Sequence, residues 1–288
     1  MDVSIIIVGY NTKALLKQCL ISVFEKTQDI DFEVIVVDNA SCDGSQQMLK
    51  EDFPNVLLIE SPENLGFGRA NNEGIKIAKG RNILFLNPDT LLLNNAIKIL
   101  SDYLDENELA GACGGNLYDE FMKPTLSYAM KFPSISEKLR IYKLLNWKNR
   151  EFNSTMKTME VACIIGADLM IRKSVLDEVG IFSDRFFMYD EELELCFRIH
   201  KARYKLISVP FAKIQHLEGK SFNSKLDPKR IMYTIDGRKT FYSLHYSTRY
   251  IQIANFVYIC VLYFKISVFY IINKDKYKFW SLVKQYEK

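Results

Sequence analysis

The sequence predicts an α/β protein: a mostly parallel sheet flanked by helices, with a helical appendage at the C-terminal end. Three observations carry that reading. Residues 3–8, 32–37 and 83–86 are short, largely apolar runs, the pattern of strands covered on both faces. Between them lie segments with apolar residues at helical spacing, such as Leu15, Leu16, Cys19, Leu20, Val23 and Phe24. Strands alternating with helices imply parallel strands joined by right-handed crossovers.

In chain order, residues 3–8 form the first strand. Gly9-Tyr10-Asn11 breaks it, and Asn11 or Thr12 is placed to cap the next helix. The second strand, 32–37, ends at Asp38, and the turn from Asn39 to Ser45 opens a short helix reaching Leu49. A third strand spans 56–59. The loop Asn64-Leu65-Gly66-Phe67-Gly68 leads to a helix over 69–78, closed by Gly80. The strand 83–86 must stop at Pro88, which has no N–H to continue a ladder. A helix follows near 95–104, then a short strand or loop at 111–115. Residues 1–115 thus read as a Rossmann-like, nucleotide-binding half.

Periodicity fades over 116–158. Tyr118, Tyr128, Phe132 and Trp147 there suggest an insertion or an acceptor-facing segment in a second half, 116–221. Strand character resumes over 161–172, interrupted at Gly166-Ala167-Asp168. Ser174 with Asp177 is expected to cap a short helix ending at Gly180. A helix over 190–201 and a last strand over 205–209 complete this half.

Of 288 residues 48% are hydrophobic, ample for a core, and the net charge is +3. The charge is uneven: residues 220–288 carry net +9 and the first 219 net −6. A basic tail on an acidic body suits an anionic lipid surface, or is simply soluble. Residues 251–272 are apolar and long enough to reach across a bilayer, but Gln252, Asn255 and Lys265 interrupt them. A spanning helix, an interfacial helix aided by Lys274, Lys276, Lys278 and Lys284, and a helix pair packed on the main domain all remain open. Six scattered cysteines without a C-x-x-C pair point to a reducing compartment. The first residues read as a strand without a basic leader region, so no signal peptide is expected. No nucleic-acid partner is expected.

The chemistry centres on acids at strand ends. Asp89 falls just past a central strand, on the edge where open α/β sheets bind ligands, and a carboxylate there suits a hard cation holding phosphate. Asn87-Pro88-Asp89 also reads as a plain turn. Glu191 and Glu194 share one helical face while Glu192 points elsewhere. An exposed acidic first turn, favoured by the helix dipole, is the alternative.

Seven segments in order resemble the inverting nucleotide-sugar glycosyltransferases of family 2, with the GT-A fold, in their rhamnosyltransferase-like bacterial branch. They are Val3-Ser4-Ile5-Ile6-Ile7-Val8-Gly9-Tyr10-Asn11; Val36-Val37-Asp38-Asn39-Ala40-Ser41 with Asp43-Gly44-Ser45; Asn64-Leu65-Gly66-Phe67-Gly68-Arg69-Ala70-Asn71-Asn72; Leu86-Asn87-Pro88-Asp89; Gly166-Ala167 through Ile171-Arg172; Phe187-Met188-Tyr189-Asp190-Glu191-Glu192; and His216 through Ser221.

The resemblance implies roles. Tyr10 would lie against the base, and Asp38 would accept hydrogen bonds from base or ribose. Arg69, Asn72 and Asn87 would join them at the nucleotide sugar. Asp89, with His216 as a further ligand, would hold Mn²⁺ or Mg²⁺ on the diphosphate. His216 as a structural hydrogen-bonder and Arg69 in a surface ion pair are the alternatives. Glu192, beside Glu191, would be the general base. The partners implied are a nucleoside diphosphate sugar, dTDP-rhamnose or a UDP-hexose, and a saccharide or lipid-linked acceptor. The setting implied is the cytoplasmic face of the membrane. Two departures stand out. Glu191-Glu192 replaces Glu-Asp, and Asn87 stands where a two-carboxylate metal motif has Asp. A nicotinamide-dependent oxidoreductase and a non-catalytic nucleotide-sugar-binding scaffold are the competing readings.

Overall fold

The computed structural model describes residues 1–135, 151–217 and 227–286. Trp147 and the 218–221 part of the His216 motif lie outside the described residues. The order is β1 (Val3–Gly9), α1 (Lys13–Lys26), β2 (Phe32–Asp38), α2 (Ser45–Asp52), β3 (Leu57–Glu60), α3 (Phe67–Ile77), β4 (Asn82–Leu86), β5 (Thr90–Leu92), α4 (Ala96–Glu106) and β6 (Ala110–Tyr118). There follow β7 (Tyr128–Ala129), β8 (Met159–Val161), β9 (Cys163–Ile164), β10 (Asp168–Arg172), α5 (Lys173–Val179), α6 (Glu191–Lys201), β11 (Lys205–His216), α7 (Pro228–His245), α8 (Thr248–Ile272) and α9 (Lys274–Tyr286).

The main sheet runs β3-β2-β1-β4-β10-β6-β11-β5, with β8 on β11. The expected parallel half is β3, β2, β1 and β4. All five residues of β4 are buried, as a strand covered on both faces requires. The second half is mixed. β10 runs antiparallel to both β4 and β6, while β11 is parallel to β6 and antiparallel to β5.

Several boundaries differ from expectation. The short element at 111–115 is a nine-residue strand, β6, whose glycines and alanine are buried because β10 and β11 flank it. β11 continues to His216 rather than ending at 209, through a register irregularity between Ser208 and Lys213 that absorbs Pro210. The stretch 161–172 is split into strand ends around residues 162 and 165–167. α5 begins at Lys173 with Arg172 at its N-cap and no side-chain cap, so Ser174 does not cap it. Thr12 is the N-cap of α1 but makes no cap bond; Asp43 accepts from the Lys13 N–H at 2.8 Å instead.

Two cores cover the sheet. On one face Leu16, Leu20, Val23, Ile97 and Leu100 of α1 and α4 pack on Ile5, Ile7, Leu84 and Met170. On the other, Ala70, Leu195, Ile199 and Phe241 pack on Ile6, Ile35, Phe85 and Ile171. α7 thus places Phe241 in the main core. Its Ile231 and Ile235 form a small separate core with Leu262 of α8 and Val283 of α9. Among the cysteines, Cys19, Cys113, Cys163 and Cys196 are buried free thiols, and Cys42 and Cys260 are exposed ones.

Phe85 is fully buried on β4, with Phe182 edge-on at 4.8 Å. Phe85→Ala should cost about 3–5 kcal/mol in denaturant unfolding, as a cavity under a ring pair requires. A loss below about 1 kcal/mol would mean the site collapses freely.

Candidate active site

The polar ends of β1, β2 and β4 meet along the carboxyl edge of the parallel half. Gly9 pairs with Asp38, and the Asn39 N–H donates to the Gly9 carbonyl at 2.8 Å. Tyr10, just beyond β1, is 49% exposed, which leaves its ring available to stack. Asp38 is fully buried. Its Oδ2 accepts from the Ser41 N–H and from Gln46 Nε2 at 2.7 Å, while its buried Oδ1 has no protein donor. A buried carboxylate oxygen left open at a strand end is suited to a ligand donor.

The loop before α3 is tied to this edge by Asn39. Its Nδ2 donates to Asn64 Oδ1 at 2.9 Å and to the Gly66 carbonyl, and its Oδ1 accepts from the Leu65 N–H. Arg69, partly buried on α3, donates through Nε to the Leu65 carbonyl at 2.9 Å. Asn72 does not take the place expected of it. It is buried, and its carboxamide both donates to and accepts from the Phe182 backbone, so it anchors α3 to the segment before α6.

Past β4 the chain turns through Asn87-Pro88-Asp89 into β5. β5 then pairs with the end of β11, setting Thr90 opposite His216. That register explains a convergence across 127 positions. His216 Nε2 lies 3.3 Å from Asp89 Oδ1 and 3.4 Å from Asn87 Nδ2, and the Leu217 N–H donates to the Asp89 carbonyl at 2.9 Å. Asp89 and His216 are each 7% exposed. One carboxylate, one imidazole and a neighbouring carboxamide fit a divalent ion that takes its remaining ligands from phosphate and water. Among the described residues no cluster of three or more His, Cys, Asp or Glu side chains could hold an ion alone. Nearby Cys19 is no nucleophile, because burial pushes its thiol up to about 12.

The acids of α6 approach from the other side. Glu191 is buried against Gly68 of α3, and its Oε2 has no protein partner. Burial first, and the Glu192 charge second, hold its carboxyl well above the usual range. Glu192 is partly exposed; a Cβ added at Gly166 would sit 3.7 Å from its own Cβ. Burial, then the Asp190 charge, raise the Glu192 carboxyl to about 7. The turn carrying Gly166 also reaches the metal-side loop, since the Asn87 N–H donates to the Ala167 carbonyl at 3.1 Å. This turn therefore touches both acid-bearing elements. Glu194, on the Glu191 face as expected, is taken up by Arg198 and by His245 Nε2 at 3.0 Å. The exposed acidic first turn is thus excluded for Glu191 and Glu194. A cavity of about 530 Å³ lined by Tyr103, Leu109, Met159 and Lys205 lies at the opposite end of β6 and β11 and plays no part in this geometry.

Sequence reasoning placed Asp89 on the carboxyl edge and Asp38 at a strand end, and grouped His216 and Glu192 with them through the family resemblance alone. It gave Asn39 no role of its own, although a polar residue directly after a strand-end acid was a usable signal. It read residues 222–288 as a helical extension without distinguishing α7, whose Phe241 enters the main core.

A carboxyl whose folded pKa exceeds its unfolded one binds its proton more tightly when folded. For Glu192, raised from 4.5 to about 7, stability is therefore fully present below the unfolded value and declines as pH rises through the folded one. Glu192→Gln cannot ionise. Its Tm should exceed the parent's at about pH 8 and match it near pH 4. An equal effect at both pH values would mean that the Glu192 carboxyl is not desolvated by folding.

The family model for "Glycosyl transferase family 2" matches residues 4–180, more than half the chain. The N-acetylglucosaminyl-diphospho-decaprenol L-rhamnosyltransferase of Mycobacterium tuberculosis is 29% identical over 203 residues, 64% of this chain and 66% of that protein. The poly(ribitol-phosphate) beta-glucosyltransferase of Bacillus spizizenii is 37% identical over 113 residues, 38% of this chain and 18% of that one. The chain thus spans just under two thirds of the first relative's length and far less of the second. Among solved structures, the mannosyltransferase PcManGT of Pyrobaculum calidifontis, in complex with GDP-Man and Mn²⁺, matches 98% of this chain and 73% of its own at a TM-score of 0.60 and 15% identity. S. aureus TarS matches 75% of this chain and 36% of its own at 0.55 and 16%. These likenesses are of fold, the GT-A arrangement expected from the sequence. The chain belongs to glycosyl transferase family 2.

Proposed function

We propose that this chain is an inverting glycosyltransferase. It moves a sugar from a nucleoside diphosphate donor, dTDP-rhamnose or a UDP-hexose, to a lipid-linked saccharide acceptor in surface-polysaccharide synthesis. The observation that carries this reading is the turn at residues 165–168, which bonds the Asp89 loop through the Ala167 carbonyl and passes, at Gly166, beside Glu192. The diphospho-decaprenol compound in the mycobacterial relative's name and the poly(ribitol-phosphate) in the Bacillus one support the acceptor class. The competing oxidoreductase and scaffold readings gain no support from family or fold.

On this reading Tyr10 stacks on the base, and Asp38 Oδ1 accepts from base or ribose. Arg69 neutralises diphosphate charge through its planar fork. Asp89 and His216 would hold Mn²⁺ or Mg²⁺, with Asn87 beside them. A bound ion supplies positive charge where the leaving diphosphate becomes more anionic. Glu192 takes the acceptor hydroxyl proton as its oxygen attacks the anomeric carbon, and one displacement inverts that centre. A carboxyl near 7 suits a general base at neutral pH. Glu191 stays neutral beside it, which prevents a second charge from opposing the first.

Glu192→Gln should lower transfer by about 10²–10⁴-fold. Donor binding should persist, read as the thermal shift given by dTDP-rhamnose or UDP-glucose with Mn²⁺. Undiminished transfer would remove Glu192 from the mechanism.

The membrane setting rests on α8. This helix has a mean hydropathy of 1.8 over an 18-residue window, of which 17% is buried. Leu262, Ala254 and Phe269 face inward, while Ile253, Phe256, Ile259, Tyr263, Tyr270 and Ile271 are exposed. Lys276 lies over Phe269 and Lys284 over Tyr263, at 4.9 and 4.3 Å from the ring centroids, so lysine stems border the apolar surface. An interfacial helix bordered by cations is the reading we favour, on the cytoplasmic leaflet. The protein should sediment with phosphatidylglycerol-containing vesicles more than with pure phosphatidylcholine, and less in high salt. Phe256→Glu with Ile271→Glu should release it. Equal recovery with and without vesicles would end the proposal.

A further inference from the structure

Glu192 and the helix that packs on its turn, α7, both lie beyond residues 4–180, the segment that the family model matches. Tyr189 and Asp190, just before α6, have φ of +70° and +66°. Two successive side-chain-bearing residues in the left-handed region persist only where their surroundings impose it. α7 supplies two constraints. Gly237 approaches so closely that an added Cβ would lie 2.3 Å from the Tyr189 carbonyl oxygen. Arg238 grips Asp190, with Nε donating to Oδ2 at 2.5 Å and an Nη to Oδ1 at 3.2 Å. Asp190 is the N-cap residue of α6, yet its side chain makes no cap bond. Its carboxylate is turned to the guanidinium, the stronger, charge-assisted partner.

We propose that Arg238 is a positioning residue for Glu192: it locks the left-handed turn at Tyr189 and Asp190, fixes the start of α6, and neutralises the Asp190 carboxylate at the head of the helix that carries the base. This rests on Glu192 being the base.

The groups facing Glu192 are Asp190 and Glu191 on its own element, Arg238 from α7 and Cys163 from β9. Tyr189, in the same turn, faces Glu191 and Glu192 and also Arg230 and Asp227. Asp190 raises the Glu192 carboxyl and Arg238 lowers it. Removing the cation should therefore move its titration up. Asp190→Asn should move it down, and asparagine tolerates the left-handed turn.

The test uses the full chain labelled with ¹³C at glutamate carboxyls. The Glu192 resonance is identified by its loss in Glu192→Gln. Arg238→Ala should raise the Glu192 midpoint by on the order of one pH unit. Asp190→Asn should lower it, and Arg238→Lys should leave it near the parent's. In transfer assays with dTDP-rhamnose or UDP-glucose, Arg238→Ala should reduce kcat at least about tenfold with the donor KM unchanged, and Arg238→Lys should restore part of the loss. Parental midpoints in Arg238→Ala and Asp190→Asn overturn the proposal. If Arg238→Ala does not fold, the Asp190→Asn midpoint decides alone. Glu192→Gln separates the two ideas. If it keeps full transfer, the base reading fails even where the midpoints move. If it loses transfer while the midpoints stay parental, only the Arg238 role fails.

Discussion

The loop before α3 and the segment before α6 are drawn together by a backbone hydrogen bond from the Phe67 N–H to the Phe187 carbonyl at 3.0 Å. Gly66, at φ +81°, makes it possible, because a Cβ there would fall 2.1 Å from that same oxygen. The constraint runs in both directions. Upstream, Asn39 fixes the Gly66 loop to the end of β2, where Asp38 waits for a ligand donor. Downstream, Phe187 leads within four residues to Glu191. Close backbone approach has almost no freedom to give, so the distance from nucleotide edge to acid helix is set by packing rather than by flexible side chains.

What the sequence disclosed follows from the range of the forces involved. The strands β1, β2 and β4 were legible because burial on both faces demands apolar runs, and Asp38 and Asp89 were legible because polar residues end those runs. β6 was not, because Gly111, Gly114 and Gly115 look like a loop until β10 and β11 are known to flank them. β5 is three residues long and exists only by pairing with β11, so it has no local signal. His216 could be named from its resemblance to a family motif, but its partner could not be read from spacing. A register set by two strands puts its ring beside Asp89. The grip of Arg238 on Asp190 left no trace in the sequence, since an arginine on a helix looks the same whether it meets solvent or an acid.

Two glutamates of one helix show what environment does to a shared chemistry. Glu194 and Glu191 are equally buried, at 3% exposure. Glu194 is surrounded by donors from Arg198 and His245, and Arg198 in turn is bound to the carbonyls of Val179, Gly180 and Ile181. Its charge is matched, and it holds α6 to α7 and to the end of α5. Glu191 has an open Oε2 and a charged neighbour, so the neutral form is favoured. Among the described residues, the acids with one buried oxygen left without a partner, Asp38, Asp168 and Glu191, lie at or beside the carboxyl-edge loops. A stable core has no reason to collect such groups, whereas a site that must bind donors and move protons does.

The same reasoning bears on how an ion would be used in the proposed reaction. With Asn87 in place of a second acid, the loop offers a single carboxylate to a divalent charge, and His216 adds donor strength without adding charge. Such a site binds a bare cation weakly, and binds it well only when phosphate oxygens arrive with it. Affinity for the ion and affinity for the donor are then linked, each raised by the other. Product release would gain from the same arrangement, because a site that held a bare ion only weakly would not retain it once the nucleoside diphosphate left. On the proposed reading, asparagine at position 87 would couple metal occupancy to turnover, and a second acid there would strengthen ion binding at the expense of that coupling.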